Sequence, residues 1–248
     1  MRTLWAAGAI GIALFVVAAA CLQQREACAQ EDQDIVESIP WSDAERAEYV
    51  LLDRGEPEVE CGTGTLTVER QGDRFQLTLH FEDGDNSDTS TVMVDAETLQ
   101  PFSVRRERLI DGEVEAVEGE YDREEQAIRV VEFIGDDEPR TVPRRLDEDV
   151  FYDNESSLFI WRTIKFEEGY IVKYNTVLVN QGGALREVTL RVAGKEEVKV
   201  PAGTFDAWRV DISTEGLNQV AFFADTPEHQ MVFYDNSVNI FELVSFEP

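Results

Sequence analysis

Arg74-Phe75-Gln76-Leu77-Thr78-Leu79-His80-Phe81-Glu82-Asp83 is the stretch that decides the fold. Phe75, Leu77, Leu79 and Phe81 fall on one side of an extended chain, and Gln76, Thr78, His80 and Glu82 fall on the other. Period-two spacing puts one apolar face on a core and one polar face in water, which is the pattern of a half-buried strand. Val188, Leu190 and Val192 repeat it against Thr189 and Arg191. Trp208, Val210 and Ile212 repeat it against Arg209 and Asp211.

The punctuation between such runs agrees. Gln71-Gly72-Asp73, Asp83-Gly84-Asp85-Asn86, Asp111-Gly112, Gly135-Asp136-Asp137, Gln181-Gly182-Gly183 and Pro201-Ala202-Gly203 are turn sequences, each placed as a hairpin would need it. One helix is predicted inside the domain, over Asp153–Ile164, with Asn154 as cap and Leu158, Phe159 and Trp161 on its apolar face. A shorter helical turn is predicted over Trp41–Arg46, with Ser42 as cap and Glu45 three residues on. About a dozen strands with a helix in the middle fit one large antiparallel sheet better than a parallel α/β fold. Phe75, Leu77, Leu79, Leu190, Val192, Val210, and Phe205 or Trp208 are expected in its core.

The beginning of the chain reads as an address. Arg2 and the initiating amine precede an uncharged, mostly apolar run from Leu4 to Ala20, which ends in three alanines before Cys21. That is the layout of a secretory signal over residues 1–20, with small residues where a peptidase must fit. Cys21 is the expected lipid-attachment residue, after which residues 21–40 form a polar, acidic, flexible tether. Ala18 stands where the strongest lipoprotein signals carry Leu. An uncleaved anchor of about 20 apolar residues and ordinary cleavage after Ala20 or Ala29 therefore stay open. The reading is an exported, membrane-anchored protein of the cell envelope, with residues 41–248 as a single antiparallel β domain.

Composition sets further bounds. Of 248 residues, 51 are Asp or Glu and 22 are Lys or Arg, giving a net charge of −29. Such a surface repels phosphate backbones, so nucleic acid is not an expected partner. There are three cysteines. With Cys21 lipidated, Cys28 and Cys61 remain as a candidate disulfide outside the cytosol.

No catalytic motif emerges: there is no G-x-S-x-G elbow, phosphate loop, H-E-x-x-H or paired-cysteine motif. A calcium loop beginning at Asp83 would need Gly at Asp88 and Glu at Val94. His80 and His229 are the only histidines, and both read as solvated rather than metal-ligating. No catalytic residue, metal site or cofactor is therefore expected. Leu158-Phe159-Ile160-Trp161, Ala221-Phe222-Phe223-Ala224 and Met231-Val232-Phe233-Tyr234 are instead apolar on both alternation faces. Strands of that kind are covered by another element or line a cavity. Phe159, Trp161, Phe222, Phe223 and Phe233 are the candidate lining of an apolar groove.

Several stretches also resemble a known family. Val198-Lys199-Val200-Pro201-Ala202-Gly203-Thr204-Phe205-Asp206-Ala207-Trp208, then Ala221-Phe222-Phe223-Ala224-Asp225 and Phe241-Glu242-Leu243-Val244, are similar to the bacterial exported domain-of-unknown-function family 3108. Thr91–Asp95 through Pro101 and Tyr152-Asp153-Asn154-Glu155-Ser156-Ser157-Leu158-Phe159 match in the same order, so the similarity spans roughly Tyr49 to Ser245. The resemblance implies a mainly β fold, one curved sheet forming a half-barrel around a short helical insert, like that of periplasmic lipoprotein carriers. It brings no catalytic residues.

The expected function is binding of an apolar ligand such as a lipid or acyl chain, or docking of an envelope partner protein, without catalysis. The alternatives are a hydrolase using carboxylates with His80 or His229, and a structural surface lipoprotein with no ligand. A filled sheet with no cavity of about 300 Å³ or more would remove the ligand reading.

Overall fold

A computed structural model describes residues 35–135 and 137–248, which lie within one compact unit, Asp32–Pro248. The signal sequence, Cys21 and Cys28 lie outside the described residues. Fifteen strands follow in chain order: β1 (Ala44–Asp53), β2 (Glu60–Gln71), β3 (Arg74–Asp83), β4 (Asn86–Asp95), β5 (Pro101–Ile110), β6 (Glu113–Asp122), β7 (Ala127–Ile134), β8 (Arg140–Arg145), β9 (Tyr152–Asp153), β10 (Ile171–Leu178), β11 (Ala184–Val200), β12 (Gly203–Thr214), β13 (Leu217–Ala224), β14 (Met231–Asp235) and β15 (Asn239–Glu247). One helix, α1 (Ser157–Ile160), stands between β9 and β10.

All fifteen strands join one sheet in the order β8-β7-β6-β5-β4-β3-β2-β1-β15-β14-β13-β12-β11-β10-β9. Every pairing is antiparallel except β9 on β10. The alternation read from Phe75 to Phe81 holds in register: Leu77 lies opposite Val68 and Val92, and Leu79 opposite Leu66 and Ser90. Phe75, Leu77, Leu79, Leu190, Val192 and Val210 are buried as expected, whereas Phe205 and Trp208 are only partly buried.

The sheet coils until its two ends meet through side chains. The turn Val179–Gln181, beside β10, packs on β6 from the other half of the sheet. A Cβ at Gly119 of β6 would lie 2.8 Å from Val104, 3.0 Å from Ile128 and 3.2 Å from Val179. Only glycine allows that approach. The free edge at β8 carries Pro143 and three arginines and is mostly exposed, which blunts edge-to-edge pairing.

The interior is plugged by the segment after β9. The expected helix over Asp153–Ile164 is shorter than its pattern suggests. It consists of a 3-10 turn, Asn154–Ser156, capped by the Asp153 side chain on the Glu155 amide, followed by one turn of α1. Beyond Ile160 the backbone has other partners. The Thr163 hydroxyl bonds back to the Ile160 carbonyl at 2.8 Å. The Thr163 carbonyl accepts the amides of Glu37 and Ser38 at 2.9 and 3.2 Å.

Those two amides belong to the stretch read as a tether, and its last residues pack onto the domain. Ile35 is 1% exposed, and Trp41 meets Phe75 and Phe159 edge-on at 6.0 and 6.3 Å. The helical turn expected over Trp41–Arg46 is strand β1 from Ala44 instead. Glu45, Ala47, Tyr49 and Leu51 all point inward there, and strand alternation satisfies all four where a single turn could not. Glu45 is held by Arg162, whose Nη1 and Nη2 donate to its two carboxylate oxygens at 2.5 and 2.9 Å. Arg162 also donates to the carbonyls of His229 and Glu228. One buried guanidinium thus ties the plug, β1 and the β13–β14 turn together.

Candidate ligand cavity

Antiparallel order sends successive turns to alternate ends of the coiled sheet. One end collects the turns β1–β2, β3–β4, β5–β6, β7–β8, β10–β11, β12–β13 and β14–β15. A cavity of about 440 Å³ opens at this end, between the plug and the inner faces of β3 and β10–β15. Its floor is aromatic: Trp161 meets Tyr234 at 5.6 Å, Tyr234 meets Phe241 at 5.3 Å, and Phe241 meets Phe81 at 5.5 Å. Leu79, Leu158, Val188 and Ile212 complete the apolar wall. Trp161 is fixed by its indole N–H, which donates to the Tyr174 hydroxyl at 2.8 Å. Burial pushes the Tyr174 hydroxyl up to about 12, so it stays protonated.

The polar groups are concentrated where the plug begins. Glu155 lines the cavity although it is 6% exposed. Ser90 donates to its Oε2 at 2.9 Å and Arg106 to its Oε1 at 3.2 Å. Arg106 also grips Asp88 with two contacts of 2.9 and 2.6 Å. Those bonds to Asp88 raise the guanidinium further above its usual range, against the opposing effect of burial. Beneath them Asp153 is fully buried and accepts a hydrogen bond from Tyr121. Burial first, then the Glu155 charge, pushes the Asp153 carboxyl up to about 7. A second hollow of about 360 Å³ lies beyond Arg106, lined by Arg108, Glu115, Val117, Ile134 and Asn180.

The rim is apolar at its tips. Val59, Val114, Ile134, Leu217 and Val238 are 39–69% exposed, and all sit at or beside turns of the cavity end. Of the other large exposed aliphatics, Ile171 begins β10 at the far end and Val244 lies within β15.

Of the five aromatics proposed for a groove, the cavity takes Trp161 alone. Phe159 lies beneath it in the core against Trp41, and Phe223 is buried against Phe166 at 5.6 Å. Phe222 and Phe233 pair with each other at 5.6 Å. Alternation puts Phe233 on the face opposite Tyr234, so this pair lies on the outer surface of the sheet. Two lining residues were missing from the proposed set: Tyr234, next to Phe233 in the same doubly apolar run, and Phe241 of β15, which lies opposite Tyr234. Nothing in those runs says which parity faces inward; the pairing of β14 with β15 does.

Neither histidine reaches the cavity. His80 lies on the polar face of β3, with Nδ1 2.7 Å from the Thr89 hydroxyl and Nε2 3.1 Å from Glu82. His229 stacks on Phe166 at 4.3 Å in the β13–β14 turn of the far end, where burial lowers its pKa. Among the described residues no group of three His, Cys, Asp or Glu is placed to hold a metal. Cys61 opens β2 partly buried, its thiol 3.5 Å from the Leu51 carbonyl, and burial pushes that thiol up.

Two solved structures are similar to this chain to different degrees. A β-barrel-like protein of a domain of unknown function (DUF1849) from Brucella abortus is 12% identical with a TM-score of 0.50, covering 86% of this chain and 98% of that one. A protein from Bacteroides fragilis, designated an exported protein with a YmcC-like fold, is 10% identical with a TM-score of 0.31, covering 86% and 100%. The first likeness supports the fold alone. No curated protein matches the chain. The order of its sequence motifs, its single coiled sheet and a family-model match over residues 49–247 agree that this chain belongs to DUF3108, a family described as proteins of unknown function.

Proposed function

We propose that this chain is an exported, membrane-anchored envelope protein that holds an apolar ligand, such as a lipid or acyl chain, without chemical conversion of it. The observation that carries the reading is the cavity of about 440 Å³ with its aromatic floor, which falls within the roughly 300–1,000 Å³ of small-molecule sites. Its entrance is at the loop end of the sheet, and Leu79, Phe81, Leu158, Trp161, Val188, Ile212, Tyr234 and Phe241 give it an apolar surface between the polar groups of the plug and the rim. The carboxylates around it, Glu155, Glu215 and Asp153, are each hydrogen-bonded to arginine, serine or tyrosine. Both histidines lie away from it. The alternative of a carboxylate–histidine hydrolase therefore draws no support from this geometry.

Anchoring rests on the apolar run that ends at Cys21. No helix among the described residues is long and apolar enough to cross a membrane. In this reading a lipid on Cys21 holds the domain at the membrane surface. Mass spectrometry of the mature protein should find Cys21 as a modified N-terminus; an intact Met1 or a start at Gln30 would reject that anchor.

Ligand binding is tested with N-phenyl-1-naphthylamine, an uncharged apolar fluorophore. Saturable binding with energy transfer from Trp161, reduced by Leu217→Asp at the entrance, supports the reading. Absence of saturable binding refutes it. Docking of an envelope protein is a second reading, favoured by the five exposed aliphatics on the rim.

A further inference from the structure

We propose that the cavity selects ligands by charge: an apolar chain carrying a cationic group is taken, and one ending in a carboxylate, sulfate or phosphate is refused. This rests on the reading of the cavity as a ligand site and names the chemistry of what enters. Three charged side chains line the cavity: Glu155, Arg186 and Glu215. Arg186 is already occupied, with Nη1 2.6 Å from Glu215 and Nη2 3.4 Å from the Gln181 side-chain oxygen. That pair cancels, and Glu155 is left as the charge that faces the ligand volume.

The neighbouring cations are committed in the same way. Arg106 divides itself between Asp88 and Glu155, and Arg108 lies 3.7 Å from both Asp88 and Glu115. Arg54, at the β1–β2 turn, is bound to Asp235 at 2.9 Å. An incoming anion would have to break one of these pairs and strand a carboxylate in a half-dry site, which is costly. An ammonium group meets no such demand. Ser90 and Arg106 each donate to one oxygen of Glu155, and a carboxylate offers about four acceptor positions. Outside the cavity, Asp85, Asp111, Glu113 and Asp235 flank the turns of the same end. With a net charge of −29 on the whole chain, they set a field that draws cations toward the entrance.

The test displaces bound N-phenyl-1-naphthylamine with three amphiphiles of one chain length, each below its micelle concentration. These are dodecylammonium, whose N–H groups can donate to Glu155, dodecanol and dodecanoate, with circular dichroism recorded throughout to confirm that the sheet persists. The ammonium compound should displace the probe at a concentration about tenfold or more below that of dodecanoate, the size a charge-assisted contact gives. Glu155→Gln should remove most of that preference, read as the ratio of the ammonium to the dodecanoate concentration needed for displacement. Gln219→Lys, which adds a cation to the wall without touching the buried network, should shift the preference toward dodecanoate, and it stands on its own if Glu155→Gln does not fold. Dodecanoate competing as well as the ammonium compound would overturn the proposal. So would an unchanged preference in folded Glu155→Gln, or no gain for dodecanoate in Gln219→Lys. Failure of the probe itself to bind would instead overturn the cavity reading, and charge selection with it.

Discussion

Arg162→Ala should be among the most damaging single substitutions in this protein. The guanidinium and Glu45 are each 3% exposed in their side chains and meet in a two-pronged contact of 2.5 and 2.9 Å. The same group donates to the carbonyls of Glu228 and His229 at 2.7 and 3.1 Å, and lies 5.3 Å from the centre of the Trp41 ring. Truncation leaves Glu45 charged, buried and without its partner, a loss of about 3–5 kcal/mol. For a domain of this size each kcal/mol lowers Tm by about 2–4 °C, so a fall of about 6–20 °C is expected. Urea and thermal unfolding followed by circular dichroism would measure it. Glu45→Gln should also destabilise, and the double variant Glu45→Gln/Arg162→Met should lose less than the sum of the two singles, because the unpaired charge is gone. A loss below about 1 kcal/mol for Arg162→Ala would refute the claim that this pair clamps plug, strand and turn together.

Three further outcomes are expected. Asp153 has a folded-state carboxyl pKa raised to about 7 from 3.8. The native protein therefore holds a proton that the unfolded chain releases, and this group's contribution to stability is full below about pH 4 and is lost as pH rises through 7. Asp153→Asn should remove that slope, seen by subtracting variant from wild-type unfolding curves between pH 4 and 8; a difference that does not vary with pH would contradict it. Gly119→Val should destabilise by about 1–3 kcal/mol through overpacking, since even a first carbon there lies 2.8 Å from Val104, 3.0 Å from Ile128 and 3.2 Å from Val179; an unchanged urea midpoint would show that these side chains do not close on β6. Trp161→Phe should weaken N-phenyl-1-naphthylamine binding and leave the Tyr174 hydroxyl without its indole donor, whereas Phe222→Leu on the outer face should leave binding unchanged.

The strands were the most legible part of this protein. Phe75, Leu77 and Leu79 announce both a strand and the face that is buried, because alternation is a property of the local chain. Fifteen strands stand where about a dozen were expected, since β9 and β14 are too short to show a period. The strand at Ala44–Asp53 was partly hidden: Ser42 and Glu45 mimic a helix cap, and only the distant Arg162 explains an inward-facing glutamate. The helix at Asp153 was legible as an insert but not in length, because Glu37 and Ser38, far away in sequence, claim the Thr163 carbonyl. The cavity was half legible. The sequence shows that Met231–Tyr234 is apolar on both faces, but which aromatic faces inward depends on the register of β14 against β15. That register comes from the whole sheet.

Native mass spectrometry of the full-length protein purified from its own envelope tests the central claim most directly. The account predicts a mass excess over the lipidated chain that organic extraction removes, that uncharged N-phenyl-1-naphthylamine displaces, and that Leu217→Asp diminishes. A bare protein mass, together with no saturable uptake of that probe, would contradict it.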